Sequence, residues 1–272
     1  MNVQELNEYL FQYTDSEKKH KMTGPAVLSP RYHAIPRIPF QDREVYLFSF
    51  NKLLRDKLVC VHKESRFTDI PEHIHTVIEF VYAYSGSCTQ EVDGRPIQMN
   101  QGDICMLDTN IPHSIQSLGE QDIIITIEMR REYLTQGFLF RLGDYGIINH
   151  FLINTLSLDA AHDQYLIFRK QEEIHSTIQN ILCEYYSPGF CSEKIIDAYM
   201  ILLFCEILRQ YKDQQLSYGK NDGRTIMEIL GYIESHYLTA TLQDTAEHFG
   251  FHPNYLSNYI KKTVGHSFKE LI

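Results

Sequence analysis

Between Lys57 and Met129 short β-prone runs alternate with turn signals, and no other feature limits the fold of this chain as strongly. The runs are LVCVH, TVIEFVYAYSG, PIQM, DICMLD, HSIQSL and DIIITIEM. Turns fall at Val92-Asp93-Gly94 and Asn100-Gln101-Gly102. Strands this short and this close in sequence predict an all-β sandwich or barrel. A chain of 272 residues is longer than such a barrel requires, so a second structural region is expected. With 43% hydrophobic and 22% charged residues, the chain is globular and has enough core to fold without staples.

The β block also carries chemistry. His73, His75 and Glu79 stand at the start of the run HIHTVIEFVYAY. All three are odd-numbered, so on one strand they share a face with Val77 and Val81, and Ile78, Phe80 and Tyr82 take the other. His113 begins a later run. Three histidines and a carboxylate converging inside a barrel suit a divalent transition metal (Zn, Ni, Fe or Mn) with open positions. The same four residues also suit the lining of an effector pocket, and both readings stand at this point.

On either side the texture is helical. Leu6, Tyr9, Leu10 and Tyr13 predict an amphipathic helix over residues 2–20. Pro25, Pro30, Pro36 and Pro39 predict an extended arm, and residues 43–56 read equally as helix or strand. Gln164 to Tyr186 carries Phe168, Ile174, Ile178, Ile181, Leu182 and Tyr185 at helical spacing, and Ser187-Pro188-Gly189 ends that helix. From Ser192 to about Tyr211 a second helix is apolar nearly all round. Such a helix must be buried, against the first helix and a second subunit. Lys212 to Gly223 is polar and reads as a linker, and Arg224 to Tyr237 as a further helix.

No stretch approaches about 18 consecutive apolar residues, so no membrane span is expected. The polar N-terminus is not a signal peptide, which predicts a cytoplasmic chain. The six cysteines are scattered, as expected for reduced, mostly buried thiols. A net charge of −10 argues against a non-specific nucleic-acid coat. It leaves room for a local DNA-reading face.

Thr241 to Phe268 has the pattern of such a face. Thr241 is an N-cap with Asp244 three residues on, Gly250 supplies a sharp stop, and Pro253 opens a second helix. Ala246, Gly250 and Leu256 have the spacing of a helix-turn-helix: close approach, turn and plug. An ordinary helical hairpin satisfies the same spacing.

Two family patterns are matched. His73, His75, Glu79, Gly86, Gly102, Pro112 and His113 resemble the cupin pattern, with Asp108-Thr109-Asn110 replacing its usual proline–glycine. The succession of cupin-like barrel, helical hairpin, polar linker and the run YLSNYIKKTVGHSFKELI resembles the AraC/XylS family of bacterial transcription regulators. That resemblance implies an α+β chain. Residues 1–40 would be an N-terminal helix and arm, 41–135 an effector barrel and 136–211 a helical dimerisation region. Residues 212–223 would be the linker, and 224–272 part of an AraC-type DNA-binding domain. It implies no catalysis, and names as partners a small effector such as a sugar or other polar metabolite, a second copy of the chain, DNA, and RNA polymerase. Base contacts would fall to Asn254, Ser257 and Asn258, phosphate contacts to Lys261 and Lys262, and a cap or phosphate contact to His252. The sequence stops at Ile272, before the family's second helix-turn-helix, as a truncated piece or a natural half-domain would, and a single unit with so little basic excess is expected to bind DNA weakly as a monomer. The rival expectation is a metal-dependent cupin enzyme, an oxygenase or isomerase, with a helical appendage.

Overall fold

The computed structural model describes residues 1–24, 28–55, 57–134, 165–217, 228–233, 235–264 and 267–272. The chain divides into two compact units: Met1–Thr135 with Gln164–Leu203, and Gln136–Asp163 with Phe204–Ile272.

The first unit is a β-sandwich carrying helices. One sheet runs β1 (Arg37–Phe40), β2 (Arg43–Phe48), β4 (Ile70–His75), β9 (His113–Ile115), β6 (Ser87–Val92), β7 (Arg95–Asn100). The other runs β11 (Tyr165–Phe168), β8 (Ile104–Leu107), β5 (Ile78–Ser85), β10 (Ile123–Met129), β3 (Val59–Lys63). Neighbours are antiparallel except β2 and β4, which run parallel. Between the sheets lie Ile70, Val81, Ala83, Cys88, Val92, Ile97, Met99, Cys105, Leu107, Ile115 and Ile124. Every residue of β10 is buried, and so are Ile78, Phe80 and Tyr82 of β5. The second sheet is therefore covered on its outer side too. There the Tyr84 hydroxyl donates to Asn7 at 2.5 Å and the Tyr82 hydroxyl bonds His175. Those partners belong to α1 (Val3–Phe11) and α4 (Glu172–Tyr186).

Several expected boundaries move, each for a local reason. The single helix over residues 2–20 is two helices, α1 and α2 (Asp15–Thr23). Thr14 stops the first turn of continuation: its side chain accepts from Glu17 N at 3.1 Å, and Glu17 accepts from Thr14 N at 2.7 Å. The end of the proline arm is an edge strand, where Pro39 is tolerated in β1. Residues 43–56 divide into β2 and a short α3 (Asn51–Leu54). Tyr165–Phe168, expected as helix, is β11 and completes the second sheet against β8. Ser192 begins α5, which continues to Ser217, so the start of the expected linker is helical. The remainder of that linker, and Gly265, lie outside the described residues.

The second unit holds a helical segment at 228–233 (α6), then α7 (Leu242–Phe249), α8 (Pro253–Val264) and α9 (Phe268–Leu271). Thr241 caps α7, accepting from Asp244 N at 3.1 Å. Gly250 ends it at φ 70°, ψ 27°, and Phe251 N returns to Ala246 O at 2.8 Å. Ile229, Ile233, Ala246, Leu256, Ile260 and Phe268 form one buried cluster. Ala246 and Leu256 thus occupy the packed angle between α7 and α8 that their spacing predicts.

Candidate functional site

The sequence places His73, His75 and Glu79 on one strand, and this needs correction. His73 and His75 end β4 in one sheet, whereas Glu79 is near the start of β5 in the other. The chain changes sheet at Thr76-Val77, and it is this crossing, not strand parity, that brings Glu79 over the histidines. His113 opens β9 directly opposite His73. All four side chains are buried.

Each histidine is held by a backbone carbonyl. Nδ1 of His73 lies 2.9 Å from Pro71 O, Nδ1 of His75 2.9 Å from Val77 O, and Nδ1 of His113 2.8 Å from Ile111 O. A carbonyl only accepts, so each Nδ1 carries a proton and each Nε2 is turned into the cluster, where that of His75 also bears the proton it donates to Glu79. The His73 ring also stacks on Phe48 with centroids 3.8 Å apart. Glu79 Oε2 is 3.0 Å from Nε2 of both His75 and His113. The contact to His113 lacks the alignment of a hydrogen bond, which leaves that buried nitrogen unsatisfied.

The electrostatics separate the rings. Burial, reinforced by His113 and His75, holds His73 well below the ordinary histidine value, so it is neutral. Burial also opposes charge on His75, but Glu79 outweighs it and raises that ring. Burial works against the Glu79 carboxylate, yet His75 and His113 keep it well below its ordinary value. Ligand atoms of His73, His75 and His113 lie within 4.8 Å of one another. Three converging Nε2 atoms, that of His113 without an aligned hydrogen bond, and an adjacent carboxylate fit a divalent transition metal that displaces the proton held between His75 and Glu79. The expected departure at 108–110 is accommodated: Asn110 adopts φ 63°, the left-handed conformation a glycine would take, and its N–H donates to His75 O at 2.7 Å.

A second polar group went unread in the sequence. His62 bridges two carboxylates, with Nδ1 2.7 Å from Glu128 Oε1 and Nε2 2.7 Å from Glu64 Oε1. Burial pulls its pKa down, but the two carboxylates more than offset this and raise it well above 6.5. The Cys60 thiol donates to the other Glu128 oxygen at 3.1 Å. Glu128 is the direct cross-strand partner of Glu79, so the two constellations adjoin. The signal was present: Cys60, His62 and Glu64, like Thr126 and Glu128, interrupt apolar strands at period two.

On α8 the residues expected to meet DNA share a face. Asn254, Asn258 and Lys261 are exposed and Ser257 is half-buried, while Leu256 and Ile260 point into the cluster. His252 stands at the N-terminus, where its Nδ1 accepts from Asn254 N at 3.3 Å. The side chain of Lys262 lies outside the described residues.

A two-sheet β fold with an H-x-H pair, a glutamate and a later histidine meeting between the sheets defines a cupin-type domain. Residues 65–127 match the family model described as the cupin domain, and the chain carries a cupin domain over that stretch. Solved structures with a similar fold include ToxT from Vibrio cholerae O395, 14% identical, covering 78% of this chain and 76% of that one at a TM-score of 0.37. Unsaturated fatty acid bound wild-type ToxT from Vibrio cholerae strain SCE256 is also 14% identical, covering 79% and 76% at 0.41. A cupin protein from Bacteroides fragilis is 19% identical, covering 28% of this chain and 68% of its own at 0.25. No curated protein matches the chain.

Proposed function

We propose that the chain is a ligand-responsive transcription regulator: the cupin domain binds a small effector, and α7 and α8 form a helix-turn-helix that reads DNA. The observation that carries this is the exposed row Asn254, Asn258 and Lys261 on a helix whose other face is locked by Leu256 and Ile260. Asparagine bonds adenine through two atoms at once, and a lysine nearby neutralises phosphate without reading sequence.

The regulator is a homodimer in this reading. Ile195, Ile196, Tyr199 and Leu202 of α5 keep apolar surface in contact with solvent, and a second copy would cover it. The effector is a sugar or another small polar metabolite, RNA polymerase is a further partner, and the barrel performs no catalysis. Binding shifts the population between two arrangements, which requires the effector to favour one of them.

The test is selection from a random DNA library by the full chain. Enrichment of a defined motif, relaxed at single positions by Asn254→Ala or Asn258→Ala, is the expected result. No enrichment at low salt would reject DNA reading.

A metal-dependent enzyme is the second reading, favoured by the three converging Nε2 atoms and the unsatisfied nitrogen of His113. His73, His75 and His113 would hold the ion, with Glu79 as a fourth donor. When bound, such an ion supplies a Lewis acid with open positions for a substrate oxygen. Without it, Glu79 and the raised His75 share a proton at the same place, so metal uptake strengthens with pH. Elemental analysis of untagged protein decides occupancy, with one equivalent expected in wild type and a loss in His75→Ala.

A further inference from the structure

A cavity of about 310 Å³ opens on the outer side of the barrel, away from the histidine cluster. Its walls come from α1, β3 and the last residue of α4: Tyr9 and Leu10, Val61 and Lys63, and Tyr186. Tyr9 and Tyr186 face each other with ring centroids 4.9 Å apart, tilted by 48°. Leu10 and Val61 supply a buried apolar floor. We propose that this cavity is a binding site for a small neutral aromatic molecule bearing one hydrogen-bonding oxygen, the chemical class of phenols and naphthols.

The charges around the cavity decide the class. Lys63 contributes an ammonium, but its three protons are committed to Leu10 O at 3.0 Å, Gln12 O at 3.1 Å and Glu17 at 3.0 Å. Both nitrogens of His62 are held by Glu128 and Glu64. An anion therefore finds no free cationic donor. A cation likewise finds no free carboxylate, because Glu17, Glu64 and Glu128 already face Lys63 and His62, and two touching rings do not make a cage for ammonium groups. The polar groups left are the exposed Gln12 amide at the rim and the phenols. The Tyr13 hydroxyl bonds Glu120 and accepts from Lys21, whereas Tyr9 and Tyr186 make ring contacts and no hydrogen bond among the described residues. The touching rings of Tyr9 and Tyr186 form one aromatic wall beside an apolar floor, against which a ligand ring can lie while a phenol hydroxyl fixes one oxygen. The volume is at the small end of ligand pockets, which favours a compact fused ring over a long chain.

The place also matters. A molecule lodged here touches α1, β3 and α4 together, so it would tie the N-terminal helix to the helix that precedes α5. The site stands whether or not the chain binds DNA, and only the consequence for transcription rests on the regulator reading.

The experiment is equilibrium dialysis of the full chain against 2-naphthol, with 2-naphthoate and phenyltrimethylammonium as charged comparisons. Saturable binding of naphthol at one site, with both charged probes at least tenfold weaker, is expected. Tyr9→Ala, on a half-exposed side chain, and Gln12→Trp, which fills the cavity from its exposed rim, should each weaken naphthol at least tenfold. Tyr186→Phe keeps the ring and should cost severalfold. Circular dichroism checks that each variant is folded. No saturable binding, a charged probe binding as tightly as naphthol, or unchanged affinity in both Tyr9→Ala and Gln12→Trp would each overturn the proposal. DNA selection without naphthol reads the regulator hypothesis separately.

Discussion

Single ionisable residues set how this fold responds to pH. Glu17 is fully buried on α2 and meets Arg66 at 2.8 Å and Lys63 at 3.0 Å. Burial raises its pKa, but Arg66, the Thr14 backbone and Lys63 outweigh that and bring it from 4.5 to about 2. At about 1.4 kcal/mol per unit the shift is worth about 3 kcal/mol. A depressed folded value means this stability is complete above about pH 4.5 and lost as pH falls towards 2. Glu17→Gln should therefore lower stability by about 2–3 kcal/mol at pH 7 and very little at pH 2.5, measured by urea unfolding at both. His62 has the opposite sign. Its folded value is raised, so its contribution is complete below 6.5 and is lost as pH rises through the raised value. His62→Leu leaves the fully buried Glu128 without its cation. A loss of about 2–3 kcal/mol is expected at pH 6, held to that size because His62 keeps 27% of its side chain in solvent. The loss should shrink as pH rises through the raised value, where His62 is neutral in the wild type as well; a loss independent of pH would contradict the ion pair.

Elements of this chain are held by turns whose residues were readable, and by pairings that were not. Gly86 sits between β5 and β6 at φ 69°, and a Cβ there would lie 3.0 Å from the Asp122 backbone. Gly86→Ala should cost at least about 2 kcal/mol through strain and displacement together. Asn110, at φ 63°, reports the converse: Asn110→Gly should be neutral or stabilising by up to about 1 kcal/mol, seen as an unchanged or higher Tm. Turn glycines, caps and the Ala246–Leu256 plug are local properties, and the sequence states them at fixed offsets. The four buried site residues were legible for the same reason, since H-x-H, E and a later H survive as spacings. What was missed is non-local. Tyr165–Phe168 is apolar and short, and only its pairing with β8 makes it a strand. The change of sheet at Thr76-Val77 leaves no mark in a run that is β-prone throughout. His62 and Glu128 are 66 positions apart, and their attraction exists only once β3 and β10 pair.

At the scale of the whole molecule, the proposed regulator would have to hold DNA with an acidic chain. Net charge is −10, so the distant field of the protein repels a polyanion, and affinity must come from α8 and its immediate surroundings. In a DNA-binding unit with few lysines, the number of phosphates neutralised is small. Each one contributes about −0.9 to the slope of log affinity against log salt. A slope shallower than about −4 is expected per helix-turn-helix on the motif recovered by selection. Lys261, exposed on α8, would meet phosphate in the proposed reading. Lys261→Ala should make the slope shallower by about one and weaken all sequences alike. Asn258→Ala should leave the slope unchanged and cost about 1–3 kcal/mol on the preferred motif only, by removing a base contact. The two variants thus separate holding from reading on a single helix face. If Lys261→Ala altered sequence preference while Asn258→Ala altered only the salt slope, α8 would lie on the duplex in another orientation. If neither altered binding, α8 would be a packing helix and DNA would be held elsewhere on the chain.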